Sequence, residues 1–347
     1  MGLPEIFISF ETAAVTAITR SARGVVALVL SDSTEVGESE AVYRSLAEVP
    51  ESAFTAENYR ILKLAFTAGP TKVIVLRTGE DDSAVFEALN RIKFDWLAAP
   101  ALESAEVVSY IKAQRTAGRG IKAVVANATA PDCEGIVNLW ASELVLEDGA
   151  IEASAYTARI AGLLAALPLT RSATYAELAE IVSCGAVEDA DQAIEAGKLI
   201  LVPGTDGAFR IGRAVNSLTT LTVDKGAPFR KIKIIEGIDL IRTDIASTFE
   251  KGYIGKVLND YDNKLLLVTA INAYLRSLEG DVLDKTADNL CVVSLEGQRQ
   301  YLESQGIATD DMKDADILHA NTGSEVFLEA DLTFCDAMED LSLVISM

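Results

Sequence analysis

Apolar and polar residues alternate along this chain with two different periods. In residues 24–127, short apolar runs typical of strands buried on both faces are separated by segments whose apolar residues recur at helical spacing. The predicted strands are 25–30, 72–77, 94–98 and 121–127, and the predicted helices are 57–68, 82–93 and 104–117. Strands that alternate with helices of this length predict an open, largely parallel α/β sheet.

The second half of the chain has a mixed pattern. An Ala- and Leu-rich helix is predicted over 153–167, and two apolar runs, 198–202 and 208–212, flank a Pro-Gly-Thr-Asp-Gly turn that is typical of a β-hairpin. A domain boundary is expected near 224–228. Two long amphipathic helices, 236–251 and 260–279, and two alternating strands, 326–334 and 341–347, are predicted after it. The fold class is therefore α/β with a smaller α+β part.

Both ends of the chain show the two-residue period of a strand. Neither apolar run is interrupted by a charge, although monomeric proteins usually protect a free strand edge with charge, proline or a bulge. The apolar residues that define these two arms are Ile6, Phe7, Ile8, Phe10, Leu341, Leu343, Val344 and Ile345. Two alternatives remain open: the arms fold back onto their own sheet, or they add strands to the sheets of neighbouring molecules.

Composition excludes several classes of function. The 347 residues carry 30 Lys and Arg against 52 Asp and Glu, which gives a net charge of −22. A nucleic-acid binder or a protein that docks on an anionic membrane needs a basic face, so neither partner is expected. The N-terminus lacks the basic and apolar regions of a signal peptide, and no apolar stretch approaches the ~18 residues of a membrane span, so synthesis in the cytoplasm is expected.

The sequence offers no catalytic constellation. The single histidine, His319, excludes sites that need two histidines in one chain, and its acidic, loop-like surroundings favour a solvated or capping side chain. The four cysteines form no Cys-x-x-Cys pair and are interpreted as small buried residues. No glycine-rich turn matches a nucleotide-binding fingerprint, and neither a cofactor nor a metal is expected.

Two acidic clusters are the densest groupings of carboxylates. They comprise Asp310, Asp311, Asp314 and Asp316, and then Asp336, Glu339 and Asp340. Neither has the spacing of a calcium-binding loop, and each is interpreted as a solvated turn. The alternative to a structural protein is a cytosolic α/β enzyme with an unrecognised acidic site.

Several long segments resemble one known family. They run from Tyr156 to Ala165, from Ser172 to Tyr175, from Gly197 to Thr220, from Lys231 to Asp239, from Tyr253 to Lys264 and from Ala320 to Ser324. In these segments the chain resembles the contractile tail sheath proteins of bacteriophages and R-type bacteriocins, most closely the compact Gram-positive branch that includes PBSX-like prophages and diffocin-like particles. The N-terminal part matches more loosely, and the resemblance covers nearly the whole chain.

The resemblance implies a structural function. A sheath subunit polymerises helically around a tail tube in a metastable extended state, and contraction drives the tube through a cell envelope. The implied parts are an N-terminal arm and hinge, 1–23; an outer α/β domain, 24–226; an inner tube-facing domain, 227–335; and a C-terminal arm strand, 336–347. The implied partners are further copies of the chain, the tail tube protein, and baseplate and tail-terminator proteins, within a phage or bacteriocin particle. A tail-terminator or baseplate role is a second alternative. The basic residues expected to face the tube are Lys251, Lys256, Lys264 and Arg276.

Overall fold

A computed structural model describes residues 17–34, 38–78 and 82–347 of the chain. The strands are β1 (Val25–Ser31), β2 (Glu40–Tyr43), β3 (Lys72–Thr78), β4 (Trp96–Ala98), β5 (Lys122–Ala126), β6 (Ile136–Trp140), β7 (Val145–Leu146), β8 (Gly149–Ala150), β9 (Glu177–Leu178), β10 (Ile181–Ser183), β11 (Lys198–Pro203), β12 (Phe209–Ile211), β13 (Leu290–Val293) and β14 (Leu328–Asp331). The helices are α1 (Ala56–Phe66), α2 (Asp82–Arg91), α3 (Ser104–Thr116), α4 (Ala153–Ala166), α5 (Ala190–Glu195), α6 (Ile232–Gly252), α7 (Tyr261–Ser277), α8 (Leu295–Ser304) and α9 (Asp314–His319).

The chain divides into two compact units. Unit 1 contains Asp244–Thr333 together with residues 17–20, and unit 2 contains Ser21–Thr243 together with Phe334–Met347. The division falls within helix α6 and not at the 226/227 boundary expected from composition. The last fourteen residues therefore belong to unit 2, although the chain reaches them through unit 1.

Unit 2 is built on a nine-stranded sheet. Its strand order is β2-β3-β1-β4-β5-β6-β11-β12-β9, and the six strands from β3 to β11 are parallel. Antiparallel strands close both edges, β2 against β3 on one side and β12 and β9 on the other. The predicted parallel α/β sheet and the hairpin formed by β11 and β12 are confirmed.

The core of unit 2 lies on both faces of this sheet. In β1, Val26 and Leu28 pack in the cluster that contains α1 and α4, whereas Ala27 and Val29 pack in the cluster that contains α2 and α3. All four side chains are fully buried. This is why the strand is a continuous apolar run, since a strand covered on both faces has no polar side.

Helices α1 and α4 approach each other closely at a glycine. A β-carbon placed on Gly162 of α4 would overlap the backbone carbonyl of Ala65 in α1. Backbone cannot move aside as a flexible side chain can, so this helix contact depends on the missing side chain. The Ala-rich composition of α4 is thereby explained by close packing against α1.

Unit 1 contains the described helices α7, α8 and α9, the second half of α6, and the two-stranded antiparallel sheet of β13 and β14. The two long helices predicted for this region are confirmed, with bounds a few residues different from those expected. The predicted strand 326–334 is shorter, since only Leu328–Asp331 pairs with β13. Helix α9 replaces the loop expected around His319, whose exposed ring stacks on Tyr261 at 3.9 Å.

The two predicted arms differ in what the structure describes. The N-terminal arm residues Ile6, Phe7, Ile8 and Phe10 lie outside the described residues. The C-terminal run 341–347 is described and forms no strand within its own chain. The alternative in which this arm folds back onto its own sheet is therefore not adopted by the single chain.

Candidate functional site

The last seven residues form an exposed apolar tail. The relative exposure of its large apolar side chains ranges from 71% at Leu343 to 90% at Leu341, and the C-terminal Met347 is fully exposed. Val344 and Ile345 are exposed to a similar degree. A contiguous run of uncovered apolar side chains with unpaired backbone is typical of a segment that pairs with another molecule.

The residues immediately before the tail are held by unit 2. The carboxylate Oε1 of Glu339 accepts hydrogen bonds from Ser172 Oγ at 2.8 Å and from Thr174 Oγ1 at 2.6 Å. Arg213 donates from Nη2 to Oδ1 of Asp340 at 2.6 Å, and its Nη1 lies 3.9 Å from Oε2 of Glu339. Within the acidic cluster 336–340, Glu339 is thus hydrogen-bonded and 10% exposed, and not solvated as expected from sequence, whereas the paired Asp340 is 78% exposed.

Two lysines at the start of α6 extend the same set of contacts. Lys231 forms an ion pair with Asp336, and Lys233 donates from Nζ to the backbone carbonyl of Cys335. The Lys233 side chain is half-buried, and burial lowers the pKa of its ammonium. Segment 335–340 is therefore fixed along its length, whereas the tail that follows it is free.

The β13–β14 sheet of unit 1 has two unlike edges. Asn272 of α7 donates from Nδ2 to the carbonyl of Cys291 at 2.9 Å and accepts from the Cys291 N–H at 2.7 Å. Because the backbone groups of Cys291 point toward α7, the antiparallel geometry turns those of its cross-strand partner, Ala330, toward the outer edge of β14. The β13 edge is occupied by a side-chain amide at this point, whereas none of residues 17–34, 38–78 and 82–347 pairs with the outer edge of β14, where Glu329, Ala330 and Asp331 are exposed.

A buried ionic network fixes the first half of α6 within unit 2. Arg115 of α3 donates from both Nη1 and Nη2 to Asp239, and Lys122 of β5 lies 3.1 Å from Glu236 and 3.4 Å from Asp239. Arg23 pairs with Glu236 as well. Although burial alone lowers the pKa of Arg115, the Asp239 carboxylate outweighs it and raises that pKa. The network holds the helix that carries Lys233 in a fixed place on the sheet.

The four basic residues expected to face a tube have different environments. Lys251, Lys256 and Arg276 are exposed. Lys264 is 3% exposed, and its ammonium donates to Gln298 Oε1 at 2.5 Å and to Thr322 Oγ1 at 2.9 Å. The expectation for Lys264 is wrong, because a buried ammonium that holds α7 to its neighbours offers no charge to a partner.

Unit 2 has two surface depressions that are lined in part by charged side chains. One of about 540 Å³ is lined by Arg60 and Glu57 among others, and one of about 790 Å³ is lined by Trp140 and Lys198 among others. Arg60 is engaged by Asp148 and by two backbone carbonyls, and the Lys198 ammonium lies 3.5 Å from the centre of the Trp140 ring. Neither lining contains a cysteine or His319, and the hydroxyl group common to both is that of Ser142.

The described residues contain neither a grouped set of metal-ligating side chains nor a membrane-spanning helix. Within residues 17–34, 38–78 and 82–347, no three His, Cys, Asp or Glu side chains are grouped so as to hold a metal ion. In that part of the chain no helix is both long and apolar enough to cross a membrane.

Comparison with known proteins identifies the family. Residues 224–347 match the family model described as the phage tail sheath C-terminal domain. Over its whole length the chain is 37% identical to the tail sheath protein of Clostridium phage phiCD119, and the alignment covers 99% of that protein. The chain belongs to the phage tail sheath family. The resemblance found in the sequence is confirmed, and the family is one of structural sheath proteins.

Further relatives of this sheath protein share less sequence. The phage-like element PBSX protein XkdK of Bacillus subtilis is 28% identical over 59% of the chain and 48% of the relative. The sheath tail protein of Desulfitobacterium hafniense has the same fold, with a TM-score of 0.67 at 18% identity over 83% of this chain and 93% of that one. The sheath of an extracellular contractile injection system, solved in the contracted state, has a TM-score of 0.73 at 10% identity. That match covers 100% of this chain and 98% of the other.

Sequence reasoning named the C-terminal arm and missed what holds it. Ser172, Thr174 and Arg213 appeared only as part of a family match, and Glu339 only as part of a solvated cluster. The available signal was the position of three carboxylates directly before the uncharged apolar tail.

Proposed function

We propose that this sheath protein polymerises helically around a tail tube by strand exchange between subunits and contracts to drive the tube through a target envelope. The exposed C-terminal tail is the observation that carries the proposal. Burying an apolar side chain of this size stabilises by roughly 1.5–3 kcal/mol, so the tail residues supply a useful association energy once a neighbouring sheet covers them.

The open edge of β14 is the proposed acceptor. Its outward-facing backbone groups at Leu328 and Ala330 offer the donors and acceptors that an added strand requires, whereas Asn272 already fills those positions at Cys291. The N-terminal arm, with Ile6, Phe7, Ile8 and Phe10, is proposed as a second exchanged strand, joined to the fold by the hinge within 1–23.

The division of labour between domains follows the family. Residues 24–226 form the outer part and residues 227–335 the inner part that contacts the tube, with 336–347 as the arm. Lys251, Lys256 and Arg276 are the basic residues proposed to face the tube. Lys251 and Lys256 flank the exposed apolar residue Ile254, so charge and apolar surface are presented together.

The relatives solved in a contracted state support a subunit with two packings. Subunits that move largely as rigid bodies, with the arms as hinges, need no nucleotide or metal, because the energy is stored in contacts formed at assembly. Assembly in the bacterial cytoplasm with tube, baseplate and terminator proteins completes the proposal.

The experiment is electron microscopy with sedimentation at rising protein concentration. The full chain should form tubes or polysheath, and deletion of 341–347 or of 1–11 should leave a folded monomer that forms neither. A matched control replaces Ser342 and Ser346 by Thr, which keeps the tail apolar and extended and should assemble normally. Normal tubes from either truncated chain would refute strand exchange by that arm.

A further inference from the structure

The docking of segment 335–340 uses five residues that are far apart in sequence. Ser172 and Thr174 follow α4, Arg213 follows β12, and Lys231 and Lys233 begin α6, yet all five contact this one segment. We call these five residues the clasp. Each of the five lies at least 102 positions from its partner in the segment, so they are a built binding site for it and not the by-product of a turn.

The hydroxyl groups of the clasp are also held by backbone N–H groups outside the segment. The backbone N–H of Ala214 donates to Thr174 Oγ1 at 2.9 Å, and the N–H of Thr174 donates to Ser172 Oγ at 3.1 Å. Each oxygen thereby accepts a backbone N–H and lies within hydrogen-bond distance of Glu339 Oε1, and Ser172 Oγ also lies 3.1 Å from Thr174 Oγ1. Hydrogen bonds to a carboxylate are about twice as strong as neutral ones, and the Glu339 side chain is only 10% exposed.

The contacts of the clasp with Glu339 are shielded from water, whereas its ion pairs with Asp336 and Asp340 are exposed. Glu339 is bound by hydroxyls in a largely desolvated position, whereas the pairs Arg213–Asp340 and Lys231–Asp336 are between one third and three quarters exposed. Exposed ion pairs contribute little free energy and are screened by salt. The hydrogen bonds to Glu339 therefore supply most of the free energy that holds the segment.

We propose that the clasp is a docking site for the chain's own segment 335–340, which fixes the point at which the apolar tail leaves the subunit and so presents that tail to a second copy. The inference rests on the proposed function for the fate of the tail, but the docking itself is a property of the monomer. Seven extended residues reach at most ~25 Å, so the strand that accepts them must begin within that distance of Asp340.

The test measures the position of the segment in the full-length monomer. Met338, whose side chain is fully exposed, and Lys112, on the exposed face of α3, are each replaced by Cys and spin-labelled after Cys184 and Cys335 are changed to Ser. Electron double resonance then gives the distribution of distances between the two labels. A docked segment gives a narrow distribution.

Two clasp variants and two controls are compared in this background. Glu339→Ala, and Ser172→Ala with Thr174→Val, should each at least double the width of the distribution and lengthen the half-time of sheath assembly at least fivefold. Thr116→Val and Arg91→Ala remove a hydroxyl and a guanidinium that contact only their own helices, and should change neither quantity. In 1 M salt the wild-type distribution should stay narrow, because the Glu339 contacts are sheltered.

The outcomes separate the two proposals. An unchanged width in both clasp variants would overturn the docking site, whatever the protein assembles into. A broad distribution with wild-type assembly kinetics would overturn the claim that docking presents the tail. Absence of any polymer from the wild-type chain would instead count against the proposed function, since the width measurement needs no polymer.

Discussion

Arg115 donates from Nη1 and Nη2 to the two carboxylate oxygens of Asp239, at 2.8 and 3.1 Å, across 124 positions of sequence. The pair joins helix α3, on one face of the sheet, to the first half of α6. Both side chains are buried, and each has a second ionic partner, Glu134 for Arg115 and Lys122 for Asp239.

Asp239→Asn should destabilise unit 2 by about 3–5 kcal/mol, because a buried guanidinium is left with an incomplete set of counter-charges. The measurement is the urea midpoint at pH 7. Glu87→Gln, which removes an exposed carboxylate paired with Arg91 within α2, should change the unfolding free energy by less than about 0.5 kcal/mol. Equal midpoints for the two variants would show that the network adds no stability.

Gly162→Ala should destabilise the protein by about 1–3 kcal/mol, since the new methyl overlaps the Ala65 carbonyl and the helices must separate. This outcome is opposite to the usual gain from replacing glycine by alanine inside a helix. Gly226→Ala is the control, because Gly226 has φ −78° and a β-carbon there would meet Pro228 Cδ at 3.7 Å, an ordinary van der Waals contact. Thermal unfolding of both variants decides the point, and a stabilised Gly162→Ala would contradict the close contact.

Asp32 should make the free energy of unfolding depend on pH in the acid range. Burial by itself raises the pKa of this carboxyl, but hydrogen bonds from Thr34, Asn58 and Thr55 outweigh it and hold the pKa well below its usual range. A folded pKa below the unfolded value of about 3.9 gives stability that is present above pH 4 and is lost as the pH falls through the folded pKa.

The variant Asp32→Asn should therefore be less stable by roughly 2 kcal/mol at pH 7, and the difference from wild type should shrink below pH 4. Urea unfolding between pH 7 and pH 3 measures it. Asp224→Asn changes an exposed carboxyl of the same unit and should change the unfolding free energy at pH 7 by less than about 0.5 kcal/mol. A constant deficit for Asp32→Asn at every pH would refute the electrostatic explanation.

The Cys291 thiol should react slowly with alkylating reagents as long as the protein is folded. Burial, with a smaller contribution from the Glu329 charge, raises the pKa of Cys291 to about 11, and the thiolate is the reactive form. Iodoacetamide at pH 8 should modify the half-buried Cys184 and Cys335 first, and should reach Cys133 and Cys291 only after denaturation. Peptide mass spectrometry over time shows the order; early modification of Cys291 would contradict its burial.

Lys264 and Lys256 should respond differently to replacement by Met. Lys264→Met removes the donor to Gln298 and Thr322, and should lower the stability of unit 1 by about 1–3 kcal/mol. Lys256→Met should leave monomer stability unchanged and weaken co-sedimentation with the tube protein. Comparable unfolding midpoints for the two variants would show that the Lys264 contacts are dispensable.

Local sequence patterns predicted the elements whose burial is regular. The continuous apolar run of β1 and the spacing of α1 arise from contacts with a sheet that covers them evenly, and both appear where they were expected. The short strands β7 to β10 were missed because two or three residues carry no period. The clasp was missed because Thr174 and Glu339 are 165 positions apart, and no local pattern encodes such a pairing. Lys264 was misjudged since an amphipathic helix pattern does not say which lysine is covered.

The amide of Asn272 makes the two edges of the small sheet in unit 1 unequal, because it occupies backbone groups on the β13 edge. A two-stranded sheet with both edges free can be extended from either side without limit, which is how fibrous aggregates form. Under the strand exchange proposed above, the arms of neighbouring copies are added beside β14, because the Asn272 amide occupies the β13 edge at Cys291. Growth from a single edge favours a lattice of defined connectivity over a fibre.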